Sequence, residues 1–334
     1  MIPYGRQDIT NEDIDNVIKT LKSDFLTQGP VTPKFEKTVS NYCNVKHAVA
    51  VNSATSALHI SCMALGLSKG DHLWTSPISF VASANAAIYC EAEVDFVDID
   101  YSSNNLCVVD LERKLIEAEK QNKIPKIVMP VHMAGKSCDM KKIKELSGRF
   151  GFKIIEDASH AIGGEYYDAK VGSCEYSDIT VFSFHPVKII TTAEGGMALT
   201  NNQELYTKLQ LLRSHGVTRD TELMVNSQDQ DWYYEQLLLG YNYRMNDLQS
   251  ALGLSQMKRL EKYVKKRNDI AKIYNENLYN LEIMLPDICD SVLSSFHLYI
   301  IKLKNNSMKF RNELFKFLKN NSVGTIFVAA ACTT

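Results

Sequence analysis

With 334 residues and a formal net charge of -2, the chain is long enough for a large core and a smaller second unit. That near-neutral charge argues against nucleic-acid binding as its main business. Its eight cysteines, at 43, 62, 90, 107, 138, 174, 289 and 332, form no C-x-x-C pair and no close cluster with histidine, which argues against a disulfide framework or a metal site. The amino terminus has no apolar h-region and no apolar run reaches membrane-spanning length, so a soluble cytoplasmic protein, with no membrane partner, is expected.

In chain order, Ile9, Ile14, Val17, Ile18 and Leu21 recur at helical spacing over about residues 8 to 23, with Thr10 or Asn11 as the cap. Leu26-Thr-Gln-Gly-Pro30 is a turn-like break. His47 to Val51 reads as a short buried strand, and Asn52-Ser-Ala-Thr-Ser56 opens a helix running to about Leu65. Further strand-like runs lie at Leu73 to Thr75, Val94 to Val97, Lys126 to Val131, Phe152 to Ile155, Ile179 to Phe182 and Met197 to Thr200. Between them Met140, Ile143, Leu146 and Phe150 repeat at helical spacing. Alternating strands and helices predict a large α/β domain with a mostly parallel sheet covered on both faces. Beyond Asp247 the pattern predicts one long helix, Leu248 to about Leu278, whose basic run from Lys258 to Arg267 reads as a solvated face rather than a contact for a polyanion. Phe296 to Leu303 alternates like a strand, and Phe310 to Leu318 reads as a helix. The expected division is a large domain over 1–246, then a connector helix and a smaller carboxy-terminal unit over 247–334.

Chemistry concentrates around Lys188, in Ser183-Phe-His-Pro-Val-Lys188, just past a buried strand and close to Gly195-Gly196. A lysine amine becomes a Schiff-base nucleophile when desolvation lowers its pKa, and a glycine pair lets backbone approach a ligand closely. Pyridoxal phosphate (PLP) asks for three things: a lysine for its aldehyde, an acid for its pyridinium nitrogen, and donors for its phosphate. Ile154-Ile-Glu-Asp157 ends an apolar strand in two carboxylates that need partners once buried. Thr55 and Ser56 open a helix whose positive end is an anion site, and Ser183 can add a third hydroxyl. Each has a plainer reading. Ser53, Thr55 and Ser56 can simply cap the helix, Asp157 can cap the next helix or pair with an arginine, Phe80 can be core rather than a ring-stacking partner, and His160 can satisfy its own backbone. The order of all these groups along one chain is what favours the cofactor.

That order resembles the DegT/StrS-type nucleotide-sugar aminotransferases, PLP enzymes of fold type I (aspartate aminotransferase-like). The matching text includes Ile2-Pro-Tyr-Gly-Arg-Gln7, Leu26-Thr-Gln-Gly-Pro30, Asn52-Ser-Ala-Thr-Ser-Ala-Leu58, Glu156-Asp-Ala-Ser-His160, Phe182-Ser-Phe-His-Pro-Val-Lys188, Glu194-Gly-Gly196 and Gly240-Tyr-Asn-Tyr-Arg-Met-Asn-Asp247. Within the family the text is most similar to the transaminases of pseudaminic acid biosynthesis. The resemblance implies that Lys188 holds the cofactor and shuttles a proton, that Asp157 pairs with the pyridine nitrogen, that His160 lies near the phenolic oxygen and that Phe80 stacks on the ring. It implies that Thr55, Ser56 and Ser183 bind the phosphate and that Asn242 reaches it from a neighbouring subunit, hence a homodimer with shared active sites. L-glutamate as donor and a UDP-linked 4-keto-6-deoxy sugar as acceptor follow, with Gln28 and Tyr4 as candidate sugar contacts.

One departure stands out. Such enzymes continue past Val-Gly-Thr with an aromatic, His- and Pro-containing segment, whereas here Val323-Gly-Thr325 is followed by Ile-Phe-Val-Ala-Ala-Ala-Cys-Thr-Thr334. A shortened small domain, with weakened closure over the substrate, is the expectation. Two rival readings are a non-catalytic relative that binds PLP or a nucleotide sugar, and another enzyme of the same fold acting on amino acids.

Overall fold

The computed structural model describes residues 1–226, 232–288, 291–304 and 307–328. Helices α1 (Asn11–Leu21) and α2 (Val31–Cys43) precede strand β1 (His47–Val51) and helix α3 (Ala54–Ala64). Then come β2 (His72–Thr75), α4 (Ala82–Tyr89), β3 (Glu93–Phe96), α5 (Val108–Lys120), β4 (Ile127–Met129), α6 (Met140–Phe150) and β5 (Lys153–Asp157). Strands β6 (Ile179–Ser183) and β7 (Gly196–Thr200) flank the Lys188 segment, and α7 (Gln203–Arg213) follows. The strands form a seven-stranded sheet in the order β1-β7-β6-β5-β4-β2-β3. All neighbours are parallel except β7, which runs antiparallel to both β1 and β6. The apolar runs therefore lie where the sequence places them. They are continuous rather than alternating because helices cover both faces of the sheet.

Adjacent residues show how the two faces divide. Ile155 joins α3 and α7 residues such as Leu58, Ile60 and Leu209 in one core, whereas Ile154 turns the other way, to Leu111 and Leu115 of α5 and Ile143 of α6. A third cluster packs Phe35 and Val39 of α2 against Phe182 and Phe184, with Met257, Leu260 and Val264 closing it.

Helix α2 was not among the elements read from the sequence. Its apolar residues Phe35, Val39 and Cys43 recur every fourth position, but Pro33 in its first turn obscures the start. No side chain of its own caps it. The Asp247 carboxylate does so from across the fold, accepting from the backbone N–H of Val31 at 3.1 Å and Thr32 at 3.3 Å and from the Thr32 hydroxyl at 2.7 Å. The same Asp247 donates its N–H to the Leu26 carbonyl, so the Leu26–Pro30 turn is pinned to the start of the next helix.

The single helix predicted from Leu248 to Leu278 is instead two, α8 (Asp247–Met257) and α9 (Leu260–Leu278). The break falls where Arg259 turns inward to bond the buried Asp13 carboxylate at 2.6 Å. The basic run is accordingly not all solvated face: Lys258 pairs with Glu12, and Arg267 donates to the carbonyls of Phe296 and His297. The predicted strand from Phe296 to Leu303 is also corrected. Only Lys302 and Leu303 pair, with Ile283 and Met284, because Phe296 sits at φ 45° and breaks any extended run. Helix α10 (Met308–Asn320) contains the predicted Phe310–Leu318 helix. Most of the departing tail, residues 329–334, lies outside the described residues, as do Cys289 and Cys332.

Candidate active site

The carboxyl ends of β1, β5 and β6 and the amino end of β7 share one edge of the sheet, the edge where parallel α/β sheets expose ligand-binding groups. Lys188 lies in the connection from β6 to β7. Backbone bonds from Phe184 N–H to Gly195 O at 2.9 Å and from Thr192 N–H to Phe184 O at 3.0 Å close its base. Burial drives the Lys188 amine down from the usual 10.5 to about 8, against the pull of the Asp157 carboxylate.

Asp157 ends β5 with only 4% of its surface exposed. Its Oδ2 accepts from the Ser83 hydroxyl at 2.6 Å, and Ser83 lies 2.6 Å from Ser79; its Oδ1 accepts from the Ser159 N–H at 3.1 Å. Neither serine was singled out by the sequence, and no local pattern could reveal a partner 74 residues away. Strand alternation sends the neighbouring Glu156 to the opposite face. There its Oε2 lies 2.7 Å from His132 Nε2, and its Oε1 accepts from Ser177 and Thr180. His132 Nδ1 lies 3.2 Å from the Cys138 nitrogen, and although burial pulls the imidazole down, Cys138 and Glu156 outweigh it and raise the ring to about 10. Burial alone would raise the Glu156 carboxyl; the bonds from His132, Ser177 and Thr180 hold it below its ordinary value. The two adjacent carboxylates thus separate into one anchored in the core and one facing Lys188.

The phosphate candidates surround the start of α3. Ser53 caps that helix, accepting the Ser56 N–H at 3.1 Å, while the Ser56 hydroxyl donates to Asn52 Oδ1 at 2.7 Å. The capping role thus belongs to Ser53, and the Thr55 hydroxyl makes no hydrogen bond among the described residues. A Cβ at Gly196 would stand 2.5 Å from the Ala54 nitrogen, so only glycine lets β7 seat directly on this turn. Ser183, at the end of β6, pairs in register with Gly196. His160 follows β5, partly buried, with its shielded Nδ1 lacking any hydrogen-bond partner. Burial first, then Lys188 and His297, push its pKa well below the usual 6.5, so the ring is neutral.

The remaining candidates lie further out. Phe80 is 70% exposed, one turn before Ser83, with its ring free of the core. Asn242 is exposed and bridged through its backbone to Ser214, and the next residue, Tyr243, accepts the Asn52 N–H at 2.8 Å. Gln28 is exposed in the pinned turn at φ 54°. Tyr4 is half exposed in a segment whose ends are both tied: Ile2 bridges Val323, and Gly5 lies against Val187, the residue before Lys188. Among the described residues no group of three or more His, Cys, Asp or Glu could hold a metal, and no helix is long and apolar enough to cross a membrane.

The sequence model of the DegT/DnrJ/EryC1/StrS aminotransferase family matches residues 7–332. The chain is 39% identical, over 97% of its own length and 82% of the relative's, to the UDP-4-amino-4,6-dideoxy-N-acetyl-beta-L-altrosamine transaminase of Campylobacter jejuni. The crystal structure of Helicobacter pylori PseC, an aminotransferase involved in the biosynthesis of pseudoaminic acid, superposes with a TM-score of 0.86 at 33% identity, covering 96% of this chain and 82% of that one. The PLP-form of Spr1654 from Streptococcus pneumoniae gives 0.87 at 28% identity, covering 99% and 85%. The residues present fit such a cofactor: a desolvated lysine with a lowered pKa, a buried carboxylate near it, an orphaned imidazole nitrogen, and a helix start that only glycine can approach.

Proposed function

The chain belongs to the DegT/DnrJ/EryC1/StrS aminotransferase family, and on that premise we propose that it moves the amino group of L-glutamate to C4 of a UDP-linked 4-keto-6-deoxy-N-acetylhexosamine. It is a PLP-dependent nucleotide-sugar aminotransferase of fold type I. The choice of UDP sugar, in a pathway to a bacterial surface sugar of the pseudaminic type, rests on its likeness to the Campylobacter and Helicobacter enzymes. The observation that carries the reading is a partly buried lysine near Asp157, its amine lowered to about 8 by desolvation.

When bound, PLP supplies an electron sink that lets a C–H bond next to nitrogen ionise. Lys188 does the proton work. With a pKa of about 8 it is roughly a quarter free base at pH 7.5, against about a thousandth for an ordinary lysine. Its Nζ is placed to take the proton from the α-carbon of glutamate and later to give a proton to C4 of the sugar; the amino group would stay with the cofactor when water releases 2-oxoglutarate, and pass from there to the sugar. Asp157, steadied by Ser83 and the Ser159 N–H, stays an acceptor for the pyridine N–H and so keeps that ring protonated. His160 would lie on the phenolic-oxygen side of the bound cofactor, and the exposed Phe80 would supply a ring to stack on it. Thr55, Ser56 and Ser183, with the amino end of α3, take the phosphate.

Asn242 completes the phosphate contacts from a second copy, which makes a homodimer with shared sites, and Gln28 and Tyr4 contact the sugar. The large unit over 1–246 carries the cofactor, and 247–334 forms the connector and the smaller unit. The six described cysteines are unpaired thiols, which suits a cytoplasmic enzyme. Mass spectrometry after incubation with glutamate and a panel of UDP-4-keto-6-deoxy-HexNAc isomers tests the substrate. An amino sugar is expected. Turnover of a plain 2-oxo acid with no UDP sugar converted would sink it.

A further inference from the structure

His160 and His297 meet with ring centroids 4.3 Å apart and planes tilted by 38°. His297 is buried, with 7% of its surface exposed, His160 is partly buried, and the Nδ1 of each is itself shielded from solvent and has no hydrogen-bond partner. Two shielded, unsatisfied imidazole nitrogens on rings in contact are uncommon and need a reason. His297 is delivered by a segment held from several sides. The Ser295 hydroxyl donates to the His160 carbonyl at 2.7 Å, and the Ser295 N–H to the Gly135 carbonyl at 3.1 Å. Asn268 donates to Ser294 O at 2.8 Å, and Arg267 to Phe296 O at 3.0 Å.

Between these anchors Phe296 lies at φ 45°, a region that bulky residues avoid. Such strain persists only where the surroundings over-determine it, and here it turns the next side chain onto His160. Burial and the cations facing the pair keep both rings neutral: Lys188 faces both, and Arg267 faces His297. A neutral ring beside a neutral ring can stack without repulsion.

We propose that His297 is a positioning residue of the active centre: laid on His160, it fixes the plane of that imidazole and excludes water from it. The segment 294–297 is thereby coupled to the cofactor site although it contributes nothing to the sheet. The kinetic arm of the test rests on the aminotransferase reading; the spectroscopic arm does not. Histidine-selective nitrogen-15 NMR on the cofactor-free protein follows the protonation of His160 directly. In the wild type, and in His297→Phe, which keeps a ring in the stack, the His160 midpoint stays well below 6.5. In His297→Ala, water enters and the midpoint rises by about one pH unit or more, a tenfold change in proton affinity.

With cofactor bound, His297→Ala lowers kcat about 10- to 100-fold while KM for the amino donor changes less than about threefold, and His297→Phe recovers most of the loss. An unchanged His160 titration in His297→Ala, or a phenylalanine variant as impaired as the alanine one, overturns the assignment. If the alanine variant does not fold, the phenylalanine variant decides alone: a raised His160 midpoint there overturns it, and a wild-type midpoint supports it. A wild type that aminates no keto sugar, with the NMR shifts as stated, overturns the proposed substrate and supports the stack.

Discussion

In the central sheet β4 and β6 are buried along every residue, whereas α10, after Asp247, has no buried residue. The difference separates two kinds of work. Lys188 and His160, whose pKa values desolvation lowers, and the buried Asp157 hang from the ends of these packed strands. After α9 the chain meets that centre through Ser294 to His297, and α10 displays large apolar side chains such as Phe310, Phe315 and Phe317. The side chains of α10 are available for contacts outside the core.

The contrast is sharpened most by Lys188→Ala, which should abolish the visible absorbance of the lysine-bound cofactor and lower turnover by at least ~10^4-fold. Normal turnover in that variant would remove the desolvated lysine as the reason for the contrast. Next is Glu156→Ala, which leaves His132, Ser177 and Thr180 buried without their acceptor and should cost about 3–5 kcal/mol in urea unfolding. A loss below about 1 kcal/mol would mean that the packed half tolerates orphaned polar groups.

A smaller effect is linked to pH. A buried amine with its pKa near 8, against 10.5 when unfolded, binds fewer protons folded than unfolded between those values, so the cofactor-free protein should gain stability as pH rises through that window and lose it as pH falls. Relative to Lys188→Met, which has no such proton, the gain should reach up to roughly 3 kcal/mol. Parallel curves for the two proteins would contradict the burial of Lys188. Smallest is Phe317→Ser in α10, expected to stay within about 0.5 kcal/mol of wild type. A loss of several times that would show α10 to be covered in solution, and the two regions to be less different than they look.

How much of this was legible depends on distance along the chain. The inner strands stand as apolar runs because they are buried on both faces, a signal contained in three to five residues, whereas the edge strand β3, Glu93–Phe96, has no buried residue. Lys188 and Asp157 stand out because each follows such a run. Ser83 does not, since its partner is 74 residues away, and Ser295 joins His160 across 135 residues. The break between α8 and α9 is likewise invisible locally: a helical repeat continues through Lys258 and Arg259, and only the buried Asp13 turns Arg259 aside. Pairing with β7 reverses direction within a sheet otherwise parallel, a matter of chain path that no periodicity records.

For anyone redesigning the enzyme toward other sugars, the contact of Gly196 with Ala54 divides the chain into positions to freeze and positions to randomise. Any side chain at 196 would displace the first turn of α3, so a library that varies 53–56 or 195–196 spends its members on lost cofactor. Tyr4 and Gln28 face solvent beside tied backbone, so diversity placed there leaves the packed sheet undisturbed and tests directly whether they are the sugar contacts proposed above.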